Sequence, residues 1–468
     1  MRTITFVAAA LCLAAAAADP TLASDLPRRA SLGIRVTPAP QGVGGALAAQ
    51  VMHGSSAEAM GLHDGDLIVR AGGHAVTQAS DVTAYAHSLH GGDQAELTVT
   101  RAGHQLRLHG KAKPRPYEQY ENATSDYGAV AFRGGQLRDI LVTPKGISNP
   151  PVLFLLPGFS CASIEPADAS DPYRRLGEEL VKRGVAYYRV EKPGLGDSAG
   201  TPDCADIDFA TELEAFRDAY RHLIEARQVN PDRIFMFGHS LGGLEAPLLV
   251  AETPPRGIAV YGTVLRNWAD YHFDVDRIQS FLANGADVAQ AAEASESHRD
   301  LLRSFYFARE APEQIAEASS AYGDVMRNAF GWNGTDKMFG RNYKFMQDLA
   351  HLPLTSAWKS AKSRVLALYG ESDIVAIDDR DHKLIADIAD FYRPGSGRFV
   401  EVARTGHGMT LVGNRHDYRE KAIATGDTPD GPFNPEIATI LAEWVKTSMR
   451  EPPVRLRKDR EVAAPAAR

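Results

Sequence analysis

Ser240 is the residue whose neighbours best suit it to act as a nucleophile. It lies in the run Gly238-His239-Ser240-Leu241-Gly242, between an apolar stretch that predicts a strand and a stretch typical of a helix. A strand that turns sharply into a helix exposes the side chain at the turn, and the crowded backbone there requires glycine on both sides. Because the five-residue pattern is common by chance, the flanking strand and helix carry the inference.

A serine hydroxyl needs a base to take its proton and an acid to orient that base. Downstream, Asp373 follows one apolar stretch that predicts a strand, and His407 follows the next, between two glycines. We therefore expect Ser240, Asp373 and His407 to meet at one edge of a sheet. His239 is on the wrong side of the turn to be the base and is expected to pack or to face substrate. The other acids and histidines considered for these roles are Glu371, Asp378, Asp379, His382 and His416.

Short apolar stretches alternate with amphipathic ones over residues 127–450. Strands are predicted at 130–132, 137–143, 152–156, 186–190, 234–237, 258–261, 365–369 and 399–402, and helices at 172–182, 209–227, 241–251, 381–390 and 435–449. This alternation is typical of the α/β class, with a mostly parallel sheet flanked by helices on both faces. The first two strands are close in sequence and predict an antiparallel hairpin at one edge.

Residues 264–360 are too many for one connection between strands and predict an inserted helical cap. The segment is rich in aromatic residues. We expect most of them to form the core of the cap and a few to line an apolar pocket over the active edge of the sheet.

Composition and charge exclude several classes of function. The 468 residues suffice for two or three domains, and the net charge of −8, without a basic stripe, argues against a nucleic-acid partner. The glycine-rich stretches match neither the phosphate-loop nor the dinucleotide pattern. His87 and His90 have no further ligands nearby in sequence, so no metal or other cofactor is expected.

Both ends of the chain have a biased composition. Residues 1–23 combine a charged start, a short apolar run and small residues, which indicates a secretory signal peptide cleaved near Ala18 or Ala23. The run is too short to span a bilayer comfortably, so we expect no transmembrane anchor and a periplasmic or secreted location. Residues 451–468 are rich in proline, alanine and charge and are expected to be disordered.

Residues 30–113 carry two motifs that resemble a PDZ domain of the bacterial type. Ser31-Leu-Gly-Ile34 resembles the carboxylate-binding loop, and the run from Gly54 to Ile68 is similar to the family's G-S-x-A-x-x-A-G-L-x-x-G-D-x-I pattern. The resemblance implies a small β-rich domain that adds a protein C-terminus to a sheet edge. Alternatively, the domain only packs on its neighbour or shapes access of substrate. A linker is expected at 114–126.

The PDZ resemblance also implies which residues line the peptide site. They are the three residues of the loop that runs into the first long strand, namely Leu32, Gly33 and Ile34.

The serine, acid and histidine, in this order and each at a strand end, resemble the alpha/beta hydrolase family, close to its serine aminopeptidase-like and esterase branches. The resemblance implies acyl transfer to water through an acyl-serine. It also implies an oxyanion hole formed by the backbone amides of Phe159, in the loop after the strand at 152–156, and Leu241. The histidine common in that loop is replaced by Pro157, but backbone donors do not require it.

The same fold makes the strands at 152–156 and 186–190 neighbours, so Cys161 and Cys204, which follow them, could form a disulfide. The alternative is two separate thiols. The loop from Glu191 to Ser198 resembles the family's loop after the fourth strand. Either Glu191 or Lys192 would then lie at the pocket rim, unless the loop is only a structural turn.

The leading hypothesis is an exported serine hydrolase that cleaves carboxylic ester bonds. A serine peptidase or aminopeptidase, to which the PDZ-like domain recruits peptides, uses the same machinery and remains open. A third hypothesis, a peptide-binding scaffold without catalysis, is disfavoured by the complete set of catalytic residues. The expected partners are a small-molecule ester or peptide substrate and a protein C-terminus at the PDZ-like groove.

Overall fold

The computed structural model describes residues 26–166, 168–250, 253–279 and 285–454. The predicted signal peptide at 1–23 lies outside these residues, as does most of the tail predicted at 451–468.

The N-terminal domain is built on an antiparallel six-stranded sheet with its own apolar core. Its strands are β1 (Ala30–Ser31), β2 (Ile34–Pro38), β3 (Ala46–Val51), β4 (Leu67–Ala71), β5 (His74–Ala75), β6 (Gln94–Arg101), β7 (His104–Lys111) and β8 (Lys113–Pro114). Strands β1 and β8 pair separately and bring the two ends of the domain together. Helix α1 (Ser56–Ala59) is a single turn, and α2 (Ala79–Ser88) packs beside β2, which forms one edge of the sheet.

An eight-stranded sheet forms the centre of the C-terminal domain. The remaining strands are β9 (Ala123–Phe132), β10 (Gly135–Pro144), β11 (Val152–Leu156), β12 (Ala186–Val190), β13 (Ile234–His239), β14 (Gly257–Tyr261), the separate pair β15 (Lys337–Met338) and β16 (Arg341–Asn342), β17 (Arg364–Gly370) and β18 (Gly397–Val402). The order across the sheet is β18-β17-β14-β13-β11-β12-β10-β9. The six strands from β18 to β12 are parallel, and β9 and β10 form the predicted antiparallel edge hairpin.

Strand β9 corrects the predicted linker at 114–126. It begins at Ala123 and pairs with β10 along its whole length, and β8 already occupies Lys113–Pro114. The polar residues at the start of β9 lie on the sheet edge, where one side of the strand contacts solvent. Because these residues are polar, the sequence showed no alternating apolar pattern there, and the start of the strand was assigned to the linker.

The helices pack on both faces of the large sheet or lie in the insertion that follows β14. They are α3 (Pro172–Lys182), α4 (Phe209–Glu225), α5 (Gly242–Leu249), α6 (Trp268–Asp274), α7 (Val288–Ser297), α8 (Arg299–Leu302), α9 (Pro312–Ala318), α10 (Ser320–Asn328), α11 (Tyr343–Leu349), α12 (Leu354–Ser360), α13 (Arg380–Tyr392), α14 (Arg415–Thr425) and α15 (Pro435–Arg450). Helices α4, α5 and α13 share one apolar core, and α3 and α15 share the other. Because strands β11 to β14 are buried throughout, they are mostly apolar, with Arg189 in β12 and His239 at the end of β13 as the charged or polar exceptions.

The insertion predicted at 264–360 is helical and follows β14. It contains α6 to α12, with π-helical turns at Val275–Gln279 and Arg303–Phe307. Many of its aromatic side chains are buried, among them Phe305, Tyr306, Phe330, Trp332 and Phe345, but they share one apolar core with the large sheet and α4 rather than forming a core of the cap alone.

The two domains are connected through buried charges. Arg28, just before β1, donates to both carboxylate oxygens of Glu165 at 2.9 Å and also contacts Asp197. The Arg29 amide donates to the other oxygen of Asp197 at 2.8 Å. Since Arg28, Glu165 and Asp197 are all buried, these contacts join the N-terminal domain to the loop that follows β12.

Candidate active site

Ser240 occupies the tight turn between β13 and α5. Its φ is +54°, a left-handed conformation that residues other than glycine rarely adopt. Its amide donates to the carbonyl of Tyr261 at 2.8 Å, which fixes the turn against β14. A side chain at Gly242 would collide with the carbonyl of Leu156, so the requirement for glycine after the serine is steric. The turn leaves Ser240 partly exposed at the carboxyl edge of the sheet.

The structure brings the three residues predicted at strand ends into one hydrogen-bonded row. His407 Nε2 lies 3.1 Å from Ser240 Oγ, and His407 Nδ1 lies 3.0 and 3.1 Å from the two oxygens of Asp373. A carboxylate can only accept there, so Nδ1 carries the proton and Nε2 is free to accept one from the serine. The row therefore has the geometry of nucleophile, base and orienting acid.

Asp373 is buried, yet its surroundings favour the charged form. Burial alone would raise its pKa, but His407 and the amide of Ala376 outweigh burial and hold the pKa below its ordinary value. The amides of Val375 and Ala376 both donate to Oδ1 at 2.9 Å. The carboxylate is thus held ionised and oriented by the loop after β17.

The other acids and histidines considered from the sequence are engaged elsewhere. Glu371 accepts from the Arg404 amide, Asp378 pairs with Arg266 at 3.1 Å, and Asp379 pairs with Lys383. The two histidines considered as alternatives to His407 also have other surroundings. His382 is buried and accepts from the Thr263 amide, and His416 is exposed in the first turn of α14.

His239 links the two sides of the site and is a packing residue, one of the two roles expected from the sequence. Its Nδ1 lies 2.6 Å from the Tyr173 hydroxyl, and its Nε2 lies 2.9 Å from the carbonyl of His407. Burial, together with His407, lowers the pKa of His239 to about 3, so its ring is neutral. The Tyr173 hydroxyl also accepts from the Gly158 amide at 2.9 Å. No sequence pattern pointed to Tyr173.

The loop after β11 lies against Ser240. A side chain on Gly158 would lie 3.4 Å from Cβ of Ser240. The Gly158 amide is taken by Tyr173, whereas the amides of Phe159 and Leu241 donate to no other group among the described residues. These two amides are the ones that the resemblance implied as oxyanion donors.

The expectation that Glu191 or Lys192 lies at the pocket rim is wrong, because both side chains are buried. Glu191 accepts from the Ser163 hydroxyl at 2.5 Å and the Ile164 amide at 3.1 Å. Lys192 donates to the Gly158 carbonyl at 2.6 Å, from behind the loop. The loop after β12 therefore supports the site from inside the protein.

A disulfide joins Cys161 and Cys204, one of the two alternatives left open by the sequence. It connects the end of the loop after β11 to the loop that precedes α4, across 43 residues of sequence. Cys161 lies two residues after Phe159, so the bond ties down the loop that carries one of the candidate oxyanion donors.

The residues implied for the peptide site lie at the start of the edge strand β2. Leu32 is buried, Gly33 has a φ of +70°, and Ile34 begins β2. Strand β2 pairs with β3 on one side, and α2 packs beside it. An edge strand next to a helix is the arrangement to which an extended peptide can add as a further strand.

Comparison with known families identifies both domains. The sequence model of the alpha/beta hydrolase family matches residues 152–420, more than half of the chain, and that of the PDZ domain matches residues 30–110. The chain therefore belongs to the alpha/beta hydrolase family and carries an N-terminal PDZ domain. Both resemblances drawn from the sequence are confirmed. A comparison with curated proteins finds no match.

Solved structures similar to this chain include two esterases and a lipase. Est1E from Butyrivibrio proteoclasticus is 14% identical, with a TM-score of 0.42 over 71% of this chain and 100% of its own. A carboxyl esterase from Bacillus coagulans is 13% identical, with a TM-score of 0.41 over 70% and 99%. A soluble variant of monoglyceride lipase from Saccharomyces cerevisiae is 11% identical, with a TM-score of 0.42 over 72% and 99%.

In the part of the chain that the structure describes, no helix combines the length and the apolar character needed to cross a membrane.

Proposed function

We propose that this chain is an exported serine hydrolase that cleaves carboxylic ester bonds. Ser240 is the nucleophile, His407 transfers the proton, and Asp373 orients His407. The observation that carries the proposal is the row of contacts in which His407 Nε2 lies 3.1 Å from Ser240 Oγ while its Nδ1 faces Asp373. A hydroxyl so placed can pass its proton to the imidazole as it attacks a carbonyl carbon.

The reaction proceeds in two halves that use the same groups. Ser240 Oγ attacks the ester carbonyl carbon, its proton moves to His407 Nε2, and the carbonyl oxygen becomes an oxyanion that accepts from the amides of Phe159 and Leu241. The tetrahedral intermediate then expels the alcohol, which takes the proton from Nε2 and leaves an acyl-serine. Water repeats the attack on the acyl group, and the acid product leaves with Ser240 restored.

The PDZ domain supports a second candidate function within the same chemistry. A serine peptidase would use the same row of residues on an amide bond, and the edge strand β2 would recruit peptide C-termini near Leu32, Gly33 and Ile34. An ester panel and an aminoacyl amide panel, run side by side, separate the two functions.

The first test is covalent labelling of the protein from Ser24 onward with a fluorophosphonate, which reacts with activated serines. We expect the wild-type protein to label and the Ser240→Ala and His407→Ala variants to remain unlabelled. Turnover of acyl esters in preference to aminoacyl amides then supports the esterase. Absence of labelling in folded protein with its disulfide formed would favour a peptide-binding scaffold instead.

Export is the part of the proposal that the disulfide supports, because such bonds persist in oxidising compartments. The test is N-terminal sequencing of protein recovered from the periplasm of a bacterium that expresses the full chain. We expect a new N-terminus close to residue 19 or 24, after the predicted cleavage positions Ala18 and Ala23. An uncleaved chain in the cytoplasm would contradict export.

Peptide recognition by the PDZ domain is tested separately. A peptide library with free C-terminal carboxylates should contain binders, and amidation of the same peptides should abolish their binding, because the loop is expected to capture the carboxylate. Equal binding of both forms would contradict the role given to Leu32, Gly33 and Ile34.

A further inference from the structure

Two buried cations hold the backbone of the loop that carries Phe159. Lys192 Nζ donates to the carbonyl of Gly158 at 2.6 Å, and Arg341 Nη1 donates to the carbonyl of Phe159 at 3.2 Å. The side chain of Lys192 is 0% exposed and that of Arg341 is 2% exposed. Buried charges are rare because burial removes their hydration, so these two need a reason to be there.

The geometry of the peptide bond supplies a reason. The carbonyl of Gly158 and the amide of Phe159 belong to one planar trans peptide, so they point in opposite directions. A cation that fixes the Gly158 oxygen on the inner side of the loop therefore fixes the Phe159 N–H on the other side. Arg341 holds the next peptide plane in the same way.

One carboxylate contacts both cations. Glu212 Oε1 lies 3.0 Å from Lys192 Nζ, and Glu212 Oε2 accepts from Arg341 Nη2 at 2.6 Å. Burial would raise the pKa of Glu212, but the two cations outweigh it and hold the pKa below its ordinary value. Burial, together with the nearby Glu212, keeps the pKa of Glu245 well above its ordinary value and so favours its neutral form.

Arg341 joins this cluster from the cap, in β16. Its guanidinium lies 3.7 Å from the centre of the Phe345 ring in α11, and it also donates to the carbonyl of Cys204 at 3.2 Å. The contact of Arg341 with the carbonyl of Phe159 spans 182 residues of sequence. The position of the cap is thereby connected to the loop after β11.

We propose that Lys192 and Arg341 are positioning residues that aim the Phe159 amide at the substrate oxyanion, and that Arg341 makes this alignment depend on a seated cap. The inference rests on the proposed serine hydrolase reaction. Neither side chain touches the reacting atoms; both act through the peptide planes that they hold.

The kinetic test uses Lys192→Met and Arg341→Met in the full chain with a short activated ester. We expect kcat to fall about 10- to 100-fold with KM nearly unchanged, because a misdirected donor weakens the transition state more than the bound ester. Affinity for a trifluoromethyl ketone, which forms a tetrahedral adduct, should fall in parallel. Arg341→Lys keeps the charge and should recover part of kcat.

Arg393→Met is the matched control. Arg393 is also fully buried and also donates to two backbone carbonyls, those of Lys359 at 2.9 Å and Trp358 at 3.1 Å. It belongs to neither the cluster nor the active site. We expect Arg393→Met to lower the melting temperature while kcat is retained. Equal losses of kcat in the control and the cluster variants would overturn the proposal.

A second readout does not depend on activity. Hydrogen–deuterium exchange of the segment 157–161 should speed up in Lys192→Met and Arg341→Met but not in Arg393→Met. Unchanged exchange overturns the positioning role. If the wild-type protein neither labels nor hydrolyses esters, the proposed function fails, while the exchange result still decides whether the two cations hold the loop.

Discussion

The two sides of Ser240, the proposed nucleophile, are built differently. On the proton-transfer side, Asp373 and His407 lie on loops directly after adjacent strands, and Asp373 is oriented by amides two and three residues further on. On the oxyanion side, the loop that carries Phe159 is held by Lys192 and Arg341 and is tied by a disulfide. One side uses local backbone contacts, whereas the other uses buried charges from distant segments.

The largest expected effect is on the proton-transfer side. Asp373→Asn should lower kcat by about 10⁴-fold, because an amide facing Nδ1 favours the wrong tautomer of His407. Ester hydrolysis at pH 7 measures this loss, and the melting temperature checks folding. Asp378→Asn is the matched control, since Asp378 follows the same strand but pairs with Arg266. A similar loss of kcat in both variants would remove Asp373 from its proposed role.

On the oxyanion side, the second prediction concerns the loss of stability when the disulfide between Cys161 and Cys204 is removed. In the Cys161→Ala/Cys204→Ala double variant, the loop-entropy model predicts a fall of about 4 kcal/mol in the free energy of unfolding. Denaturant titration of wild-type and variant protein measures it. A reducing agent should weaken the wild type toward the variant and leave the variant unchanged. A difference close to zero would mean that the bond does not constrain the unfolded chain.

On the proton-transfer side, the backbone of Gly262 lies close to the side chains of Asp373 and His407. Gly262 has a φ of +62°, and a side chain there would lie 2.8 Å from Asp373 Oδ2 and 3.0 Å from His407 Nδ1. Gly262→Ala should therefore separate the pair and lower kcat by about 100-fold, the scale of a displacement of about 1 Å. Steady-state kinetics with one ester measures the change.

Gly134→Ala provides the control for backbone strain. Gly134 has a φ of +82° and nothing within 4 Å of where its side chain would lie. Both variants should lose roughly 1–2 kcal/mol of stability from the left-handed conformation, but only Gly262→Ala should lose activity. Normal kcat in Gly262→Ala would show that the contact between Asp373 and His407 tolerates displacement.

The same difference explains what the sequence could predict. Strands β11 and β12 have the bounds predicted for them, because strands buried on both faces are mostly apolar; Arg189 is the one charged residue in β12. Ser240, Asp373 and His407 could be singled out because each follows a predicted strand within a few residues, although β18, which precedes His407, is only partly buried. Lys192 also follows a predicted strand and was considered from the sequence, but as a residue of the pocket rim, whereas Arg341 had no such signal. Their partners lie 34 and 182 residues away, and only the folded chain brings them together.

The smallest expected effect concerns the pH dependence of stability on the oxyanion side. Burial raises the pKa of Glu191 from its ordinary 4.5 to about 7, although the Ser163 hydroxyl and the Ile164 amide favour the charged form. Between these values the folded chain holds a proton that the unfolded chain has released. The contribution of Glu191 to stability is therefore complete below its unfolded pKa and is lost as the pH rises through its folded pKa.

Glu191→Gln should remove this dependence, because glutamine stays neutral at every pH. Relative to the variant, the wild-type protein should lose roughly 1–3 kcal/mol of its free energy of unfolding between about pH 5 and pH 8. Glu179→Gln is the control, because Lys182 and Arg183 keep the pKa of Glu179 below its ordinary value. The difference in free energy of unfolding between the wild type and this variant should therefore stay constant over this pH range. If the difference in free energy of unfolding between the wild type and Glu191→Gln is also constant with pH, Glu191 is already ionised at about pH 5 in the folded protein. The oxyanion side would then hold one more buried negative charge than its surroundings indicate.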